Sequence, residues 1–506
     1  MEGMDLATIE ADLEALRVDL ERQCLAVRRG LQEQQRTGPI FAEHPLTTSL
    51  DSIAFLRGVT RTGRDRDERE RAFRLYYECI AQFIRMELLM MDETVEQFLV
   101  QVKVEVDGQP LSFAEMLPWV LSEGDFDKRE LLRKRALPLL QKAGEFKARI
   151  WDQILQILKE DFGYPDYLTF CAEKKGIDMR ALAQRCRSLL EATDEVYQAH
   201  VPAWVEKEMK RPFAEMSRYH AMRLLQLTPF DEMFPKDGLM GALENTLQAM
   251  GIAAALGRRI FIDLEERPGK SPVSRCVPLR IPEEIHVTMR PTGGVSDYET
   301  LLHEVGHALH YAYTETTLPY PYRHLPRSFA LSECFAFLLD GLTREPAWLA
   351  VHAKASSQQI EAFVYYKTLK LLCAIRRYVG KFLFEREFFT NGPPWDGRIY
   401  SKWLGRATGF VYEPEAALMD LEDEFYSADY LRAWMAESFL TAYLKEYFGQ
   451  EWFLSRKAGA FLVGLCREGE RCSLEELLGY FGYEPEDLSY LLKRFEGLKS
   501  PEALVP

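Results

Sequence analysis

The chain has 506 residues, 63 Lys and Arg against 78 Asp and Glu for a formal net charge of −15, and 47% hydrophobic residues. This balance reads as a globular protein long enough for a large core, about three domain-sized blocks at roughly 150 residues each. It lacks the cationic excess that phosphate backbones and acidic membranes attract, so neither nucleic acid nor membrane is an expected partner.

The opening MEGMDLATIEADLEALRVDLE mixes acids into every turn and has neither the basic start nor the apolar run of a secretory signal. No uninterrupted apolar run approaches the roughly 20 residues that span a bilayer. Nine cysteines, scattered from Cys24 to Cys472 with no CxxC pair, fit reduced thiols. The expected location is cytoplasmic, and nothing in the sequence speaks to oligomeric state.

Leu6, Ile9, Leu13, Leu16, Leu20, Cys24, Val27 and Leu31 step by three or four and predict a long amphipathic helix that packs on the next. A charged stretch at 61–71 opens a second helical pattern running to about Leu99. Residues 102–113 alternate around Asp107-Gly108, a hairpin signal. Residues 128–149 are basic, but Glu130 and Glu145 interrupt them and Leu131, Leu132, Leu137, Leu139 and Leu140 give them an apolar side, so a helix with a solvated face is expected. Helical patterns continue to about Ala255, with breaks near Pro165, Pro229 and Pro235. Residues 259–264 and 284–289 are rich in β-branched and aromatic residues and read as strands of one small sheet. Helices return at Asp297 and dominate to the C-terminus, apart from a loop at 391–394.

The informative segment is 296–310, SDYETLLHEVGHALH, which contains His303, Glu304 and His307 as HExxH. Positions four apart share a helix face, so both imidazoles can reach one metal ion, while Glu304 can face a water beside it. With nine histidines in 506 residues, chance would produce this pattern in about one or two such chains in a hundred. Its place on an amphipathic helix directly after a predicted sheet therefore adds weight.

Catalytic zinc takes three protein ligands and keeps one position open. The longer pattern with a third histidine fails, because residue 313 is Tyr. The acids that follow before residue 346 are Glu315, Glu333, Asp340 and Glu345. Glu315 is too close for the chain to return, whereas Glu333 sits in the apolar helical pattern 329–339, where a carboxylate is costly unless paired or metal-bound. One Zn2+ per chain is expected on His303, His307 and Glu333, with Glu304 as general base. All nine histidines lie at or before His352, so the C-terminal third has no imidazole to offer a developing oxyanion.

These features resemble the thimet oligopeptidase and oligoendopeptidase F family of zinc peptidases. The matching pieces are FIDLEERPGK at 261–270, the helix 298–310, the Pro-containing linker 318–326, the Glu333 helix, and FYSADY at 425–430, which is similar to the family's tyrosine-rich loop. They span about residues 260 to 435. The resemblance implies a mainly α, zincin-like fold whose helical halves flank a deep channel, with a small sheet next to the HExxH helix. It also implies that the metal polarises the scissile carbonyl, that Glu304 moves the proton, that Tyr430 donates to the oxyanion, and that Tyr426 touches substrate. The chain departs from the pattern at Ala433, where thimet-type members carry a second tyrosine, and it lacks the glycines common in that loop. His310, back on the face of His303, is read either as orienting a ligand or as a structural histidine. His324 and Arg327 are read as substrate contacts or loop surface.

The expected organisation is an N-terminal helical region at 1–200 and a catalytic region at 201–506, intertwined as one peptidase unit. The latter holds the sheet at about 259–290, the zinc-site helices at 297–340 and the C-terminal helices. The expected function is an oligoendopeptidase acting on short peptides, with an edge strand within 284–290 pairing to the extended substrate. One alternative is a carboxypeptidase or dipeptidyl carboxypeptidase with Arg327 anchoring the C-terminal carboxylate. The other is a catalytically silent peptide-binding protein with structural zinc.

Overall fold

A computed structural model describes residues 5–499. The chain divides into two compact units, each assembled from separate stretches: Met1–Leu89, Phe234–Thr343 and Ala436–Glu484 form the first, and Met90–Met233, Arg344–Met435 and Pro485–Pro506 the second. Both are mainly helical. Residue 200, where the sequence reading draws a boundary, lies inside the continuous helix Met179–Met209 of the second unit.

The first unit begins with the helix Leu6–Arg28, capped by Asp5, whose carboxylate accepts from the Thr8 N–H at 2.8 Å. Of the predicted stripe, Ile9, Leu13, Leu16 and Leu20 are buried, and Leu25 rather than Cys24 continues the buried face. It ends before Leu31, which is 68% exposed, because the chain leaves the helix at Gly30 with φ +71. That glycine is required twice over: its backbone is left-handed, and a Cβ would lie 2.5 Å from the carbonyl oxygen of Pro268.

The unit's sheet has three strands, β3 (Ile260–Asp263), β4 (Arg275–Arg280) and β5 (Glu284–Thr288), in the order β3-β5-β4, numbered after the hairpin strands β1 (Lys103–Val106) and β2 (Gln109–Ser112) of the second unit. β3 runs parallel to β5 and β4 antiparallel to it. Sequence periodicity finds β3 and β5 but passes over β4. Pro278 interrupts β4, and a proline belongs on an edge strand, where its missing N–H breaks no ladder. The topology corrects one expectation: residues 284–288 form the central strand, hydrogen-bonded on both sides, so they have no free edge to offer a peptide. At the end of β3, Asp263 collects three cations, Arg267 at 2.6 Å, Lys270 at 3.0 Å and Arg29 at 3.2 Å.

In the second unit, β1 and β2 pair around Asp107 and Gly108, both at positive φ, as the hairpin signal predicts. The basic run lies on the helix Phe126–Glu160, which buries Leu132, Leu139 and Leu140. The segment that carries Tyr426 and Tyr430 is not a loop. Glu424 and Phe425 turn through the left-handed region, and the helix Tyr426–Phe448 starts at once. Charge pairs fix its entry: Asp420 binds Arg377 at 2.9 Å, Lys174 donates to Glu424 at 2.5 Å, and Ser427 donates to the buried Glu385. Fully buried Lys175 donates to fully buried Asp429 at 2.5 Å, and Arg432 approaches the other oxygen at 3.4 Å. Removing only the carboxylate leaves buried cations uncompensated. Asp429→Asn is therefore expected to lose about 3–5 kcal/mol of stability, read as a lowered midpoint in urea unfolding.

Candidate metal centre

The helix Val295–Tyr313 starts at Gly294, whose φ of +97 lets the chain turn out of the sheet. Asp297, in its first turn, accepts from the N–H groups of Thr292 and Gly293 at 2.6 and 2.5 Å, and the carboxylate suits the positive end of the helix. This helix packs directly on Ala330–Asp340. At the crossing, a Cβ on Gly306 would lie 2.5 Å from the Cα of Ala336 and 2.7 Å from the carbonyl oxygen of Phe335. No side chain fits there, so the glycine inside HExGH sets how closely the two helices approach.

That approach brings together the three predicted ligands. Donor atoms of His303, His307 and Glu333 all lie within 4.8 Å of one another. Nε2 of His303 is 3.5 Å from one Glu333 oxygen, and Nε2 of His307 is 3.6 Å from the other. Glu333 itself is 1% exposed. Both rings are held by their other nitrogen. Nδ1 of His303 donates to Asp340 at 3.0 Å, and Nδ1 of His307 meets the Ser332 hydroxyl at 2.7 Å, which in turn donates to Tyr311 at 3.0 Å. With Nδ1 occupied, Nε2 is the free donor on each ring, as metal-binding histidines require.

The electrostatics suit a cation. Burial pulls His303 down, but Asp340 and Glu333 outweigh it and raise the imidazole to about 9 in the metal-free chain. Burial pushes His307 well below its usual value, with the His303 charge adding to the effect. Glu333 and Asp340 thus favour positive charge at this point, which a bound metal ion would supply. Two imidazoles and a carboxylate are also a donor set that suits zinc. The residues fit a single divalent ion.

Glu304, on the same helix as the two histidines, is anchored to the sheet. Its Oε2 accepts from the backbone N–H of Cys276 on β4 at 2.5 Å. Burial raises the carboxyl, partly offset by His303 and by that N–H. A carboxylate so placed is a better proton acceptor than a solvated one.

The remaining predicted residues divide. His310 is 1% exposed, stacks on Phe335 with centroids 5.0 Å apart, and lies 4.0 Å from Glu470; burial pushes it down to about 4. His324 is 8% exposed, stacks on Tyr320 and accepts from the Ile281 N–H at 3.0 Å, so it is neither loop surface nor a free substrate contact. Arg327 lies over Phe73, 4.2 Å from the ring centroid, with Glu70 at 3.7 Å. Tyr430 and Tyr426 belong to the second unit, where Tyr430 packs with Tyr378, Tyr426 and Trp434 at centroid distances of 4.7, 5.2 and 5.6 Å.

Sequence reasoning missed the supports of the site: Ser332, Tyr311, the Cys276 N–H, and Asp340 as the partner of His303. Asp340 was legible in part. It lies seven residues after Glu333 on one helix and thus returns to the same face, but an orienting role needs the ring in view.

No family model matches the sequence, and comparison with curated proteins likewise finds no match. Solved structures do match. PZ peptidase A with an inhibitor aligns over 98% of this chain and 97% of its own, with a TM-score of 0.67 and 13% identity. A Bacillus anthracis protein assigned as an oligoendopeptidase F aligns over 93% and 86%, at 0.64 and 13%. A Pyrococcus furiosus carboxypeptidase, in an apo-magnesium form, aligns over 98% and 99%, at 0.62 and 13%.

Two substitutions probe the geometry. Gly306→Ala should cost about 1–3 kcal/mol and weaken zinc binding, because the new methyl group forces the ligand helices apart. Asp340→Ala should weaken zinc by about 10- to 100-fold in competition against a chelator of known affinity. At such low identity the likeness is one of fold, and the chain has the fold of these peptidases, as the resemblance in its sequence implies.

Proposed function

We propose that the protein is a zinc-dependent peptidase that hydrolyses internal bonds of short peptides. The observation that carries this reading is the convergence of His303, His307 and Glu333 within 4.8 Å, with Glu304 on the same helix anchored to the neighbouring strand. A divalent ion at the three donors supplies Lewis acidity, polarising a carbonyl and making water more acidic. Everything else falls to the chain. Asp340 and Ser332 fix the two rings so that Nε2 faces the ion. Glu304, raised by burial, takes a proton from the attacking water and hands it to the leaving amine. The Cys276 N–H holds that carboxylate in one orientation through both transfers. Tyr430 enters this reading as hydroxyl donor to the oxyanion from the family resemblance alone.

A structural zinc site has no use for a base beside its first histidine, and closed sites favour four protein ligands. That disfavours a silent binding protein. Internal cleavage is preferred over carboxylate capture by Arg327, since that guanidinium already has Glu70 and Phe73 as neighbours. Equal cleavage of a peptide and its C-terminally amidated form supports the endopeptidase reading; loss of cleavage on amidation reverses it. Glu304→Gln is expected to keep about one zinc per chain while kcat falls by at least about 10²-fold. Full activity in that variant removes the mechanism.

A further inference from the structure

Period-two alternation puts residues 275, 277 and 279 of β4 on one face of the sheet, and the helix Leu6–Arg28 covers that face, with Leu25 packed against Val277 and Leu279. One helical turn beyond Leu25, Arg28 reaches the start of the strand, where its guanidinium donates to the carbonyl oxygen of Val273 at 3.3 Å and its own carbonyl accepts from the Ser271 N–H at 2.9 Å. Arg275 is the first residue of β4 and is exposed. It directly precedes Cys276, whose N–H holds Glu304. The Arg28 guanidinium and Arg275 thus both belong to the strand end where Glu304 is anchored.

Their neighbours do not explain them. Arg17 pairs with Glu78 at 3.2 Å, Arg29 with Asp263 at 3.2 Å, and Arg280 with Glu284 at 3.7 Å. Arg28 and Arg275 have no carboxylate within 4.0 Å among the described residues. Glu21, on the same helix, acts electrostatically on Arg17 and Cys276. Both arginines also act electrostatically on Glu304, each favouring its ionised form. In a chain of net charge −15, this is a locally cationic rim beside the one carboxylate proposed to do chemistry.

We propose that Arg275 and Arg28 form a carboxylate-recognition site beside Glu304, so that the protein acts preferentially on peptides carrying a carboxylate close to the cleaved bond. The proposal rests on the reading of the protein as a metal-dependent peptidase, not on internal cleavage, and specifies its substrate class; a preference for the free C-terminus would replace internal by C-terminal cleavage. The carboxylate can belong to an Asp or Glu side chain or to the peptide's own C-terminus, since a guanidinium fork binds either in the same way.

The test uses the zinc-loaded full chain and matched fluorogenic peptides with Glu or Gln at each position flanking the cleaved bond, each with a free or an amidated C-terminus. Wild type is expected to cleave carboxylate-bearing peptides with kcat/KM higher by about tenfold or more, and high salt should shrink that ratio. In Arg275→Gln the ratio should fall toward one, and in Arg275→Glu it should invert in favour of Lys-containing peptides. A preference that follows the free C-terminus assigns the terminal carboxylate as the ligand; one that follows Glu assigns the side chain. Equal rates on acidic and neutral peptides in wild type, or a preference that survives both Arg275→Gln and Arg28→Gln, overturns the proposal and leaves the peptidase reading standing. Failure to cleave any peptide overturns that reading instead.

Discussion

The metal centre depends on how closely two helices can pass. Val295–Tyr313 carries His303 and His307, and Ala330–Asp340 carries Glu333; neither helix holds a site alone. A donor set within 4.8 Å requires their backbones to touch, and they touch at Gly306, where any Cβ would overlap Ala336. The glycine therefore has no role in the chemistry, yet the ligand geometry follows from its missing side chain. The same contact brings Asp340 and Ser332 within reach of the two Nδ1 atoms, so one close approach builds both the ligands and the groups that orient them.

Buried charge is the second theme, and it is compensated locally. Glu333 lies between two imidazoles, Asp263 among three cations, and Asp429 against Lys175 and Arg432. Such groups add little net stability, because desolvation consumes most of the Coulomb attraction. What they contribute is definition: a buried carboxylate with fixed partners has one place to be. At the candidate metal centre the same arrangement favours a cation, since Asp340 and Glu333 raise the His303 imidazole against its burial. Glu304 is the exception, and the proposed function assigns it the proton transfers. It is held by a single backbone N–H and raised by burial, which suits a group that must gain and lose a proton.

Much of the fold was legible because its signals are local. The Leu6–Arg28 stripe, the Asp107-Gly108 turn and the strands β3 and β5 follow from periodicity and turn chemistry over a few residues. What stayed hidden depends on partners distant in sequence. β4 was overlooked because Pro278 weakens its pattern, and only the sheet order shows that an edge strand accommodates it. The central place of β5, and with it the loss of 284–288 as a peptide-binding edge, likewise needs the neighbouring strands. FYSADY was read as a loop by analogy, whereas Lys174, Lys175 and Glu385 fix it as the entry to a helix.

By itself the sequence determined the metal-binding residue types and their spacing, because HExxH at helical period places two imidazoles and one carboxylate by covalent geometry alone. It also singled out Glu333, because an acid in an apolar helix needs a partner to be buried. Only the tertiary structure decided that these three converge, which ring nitrogens are left free, and that the Cys276 N–H anchors Glu304. Those facts are distances between segments far apart along the chain. Hydrophobic packing sets such distances collectively, so no local pattern in the sequence encodes them.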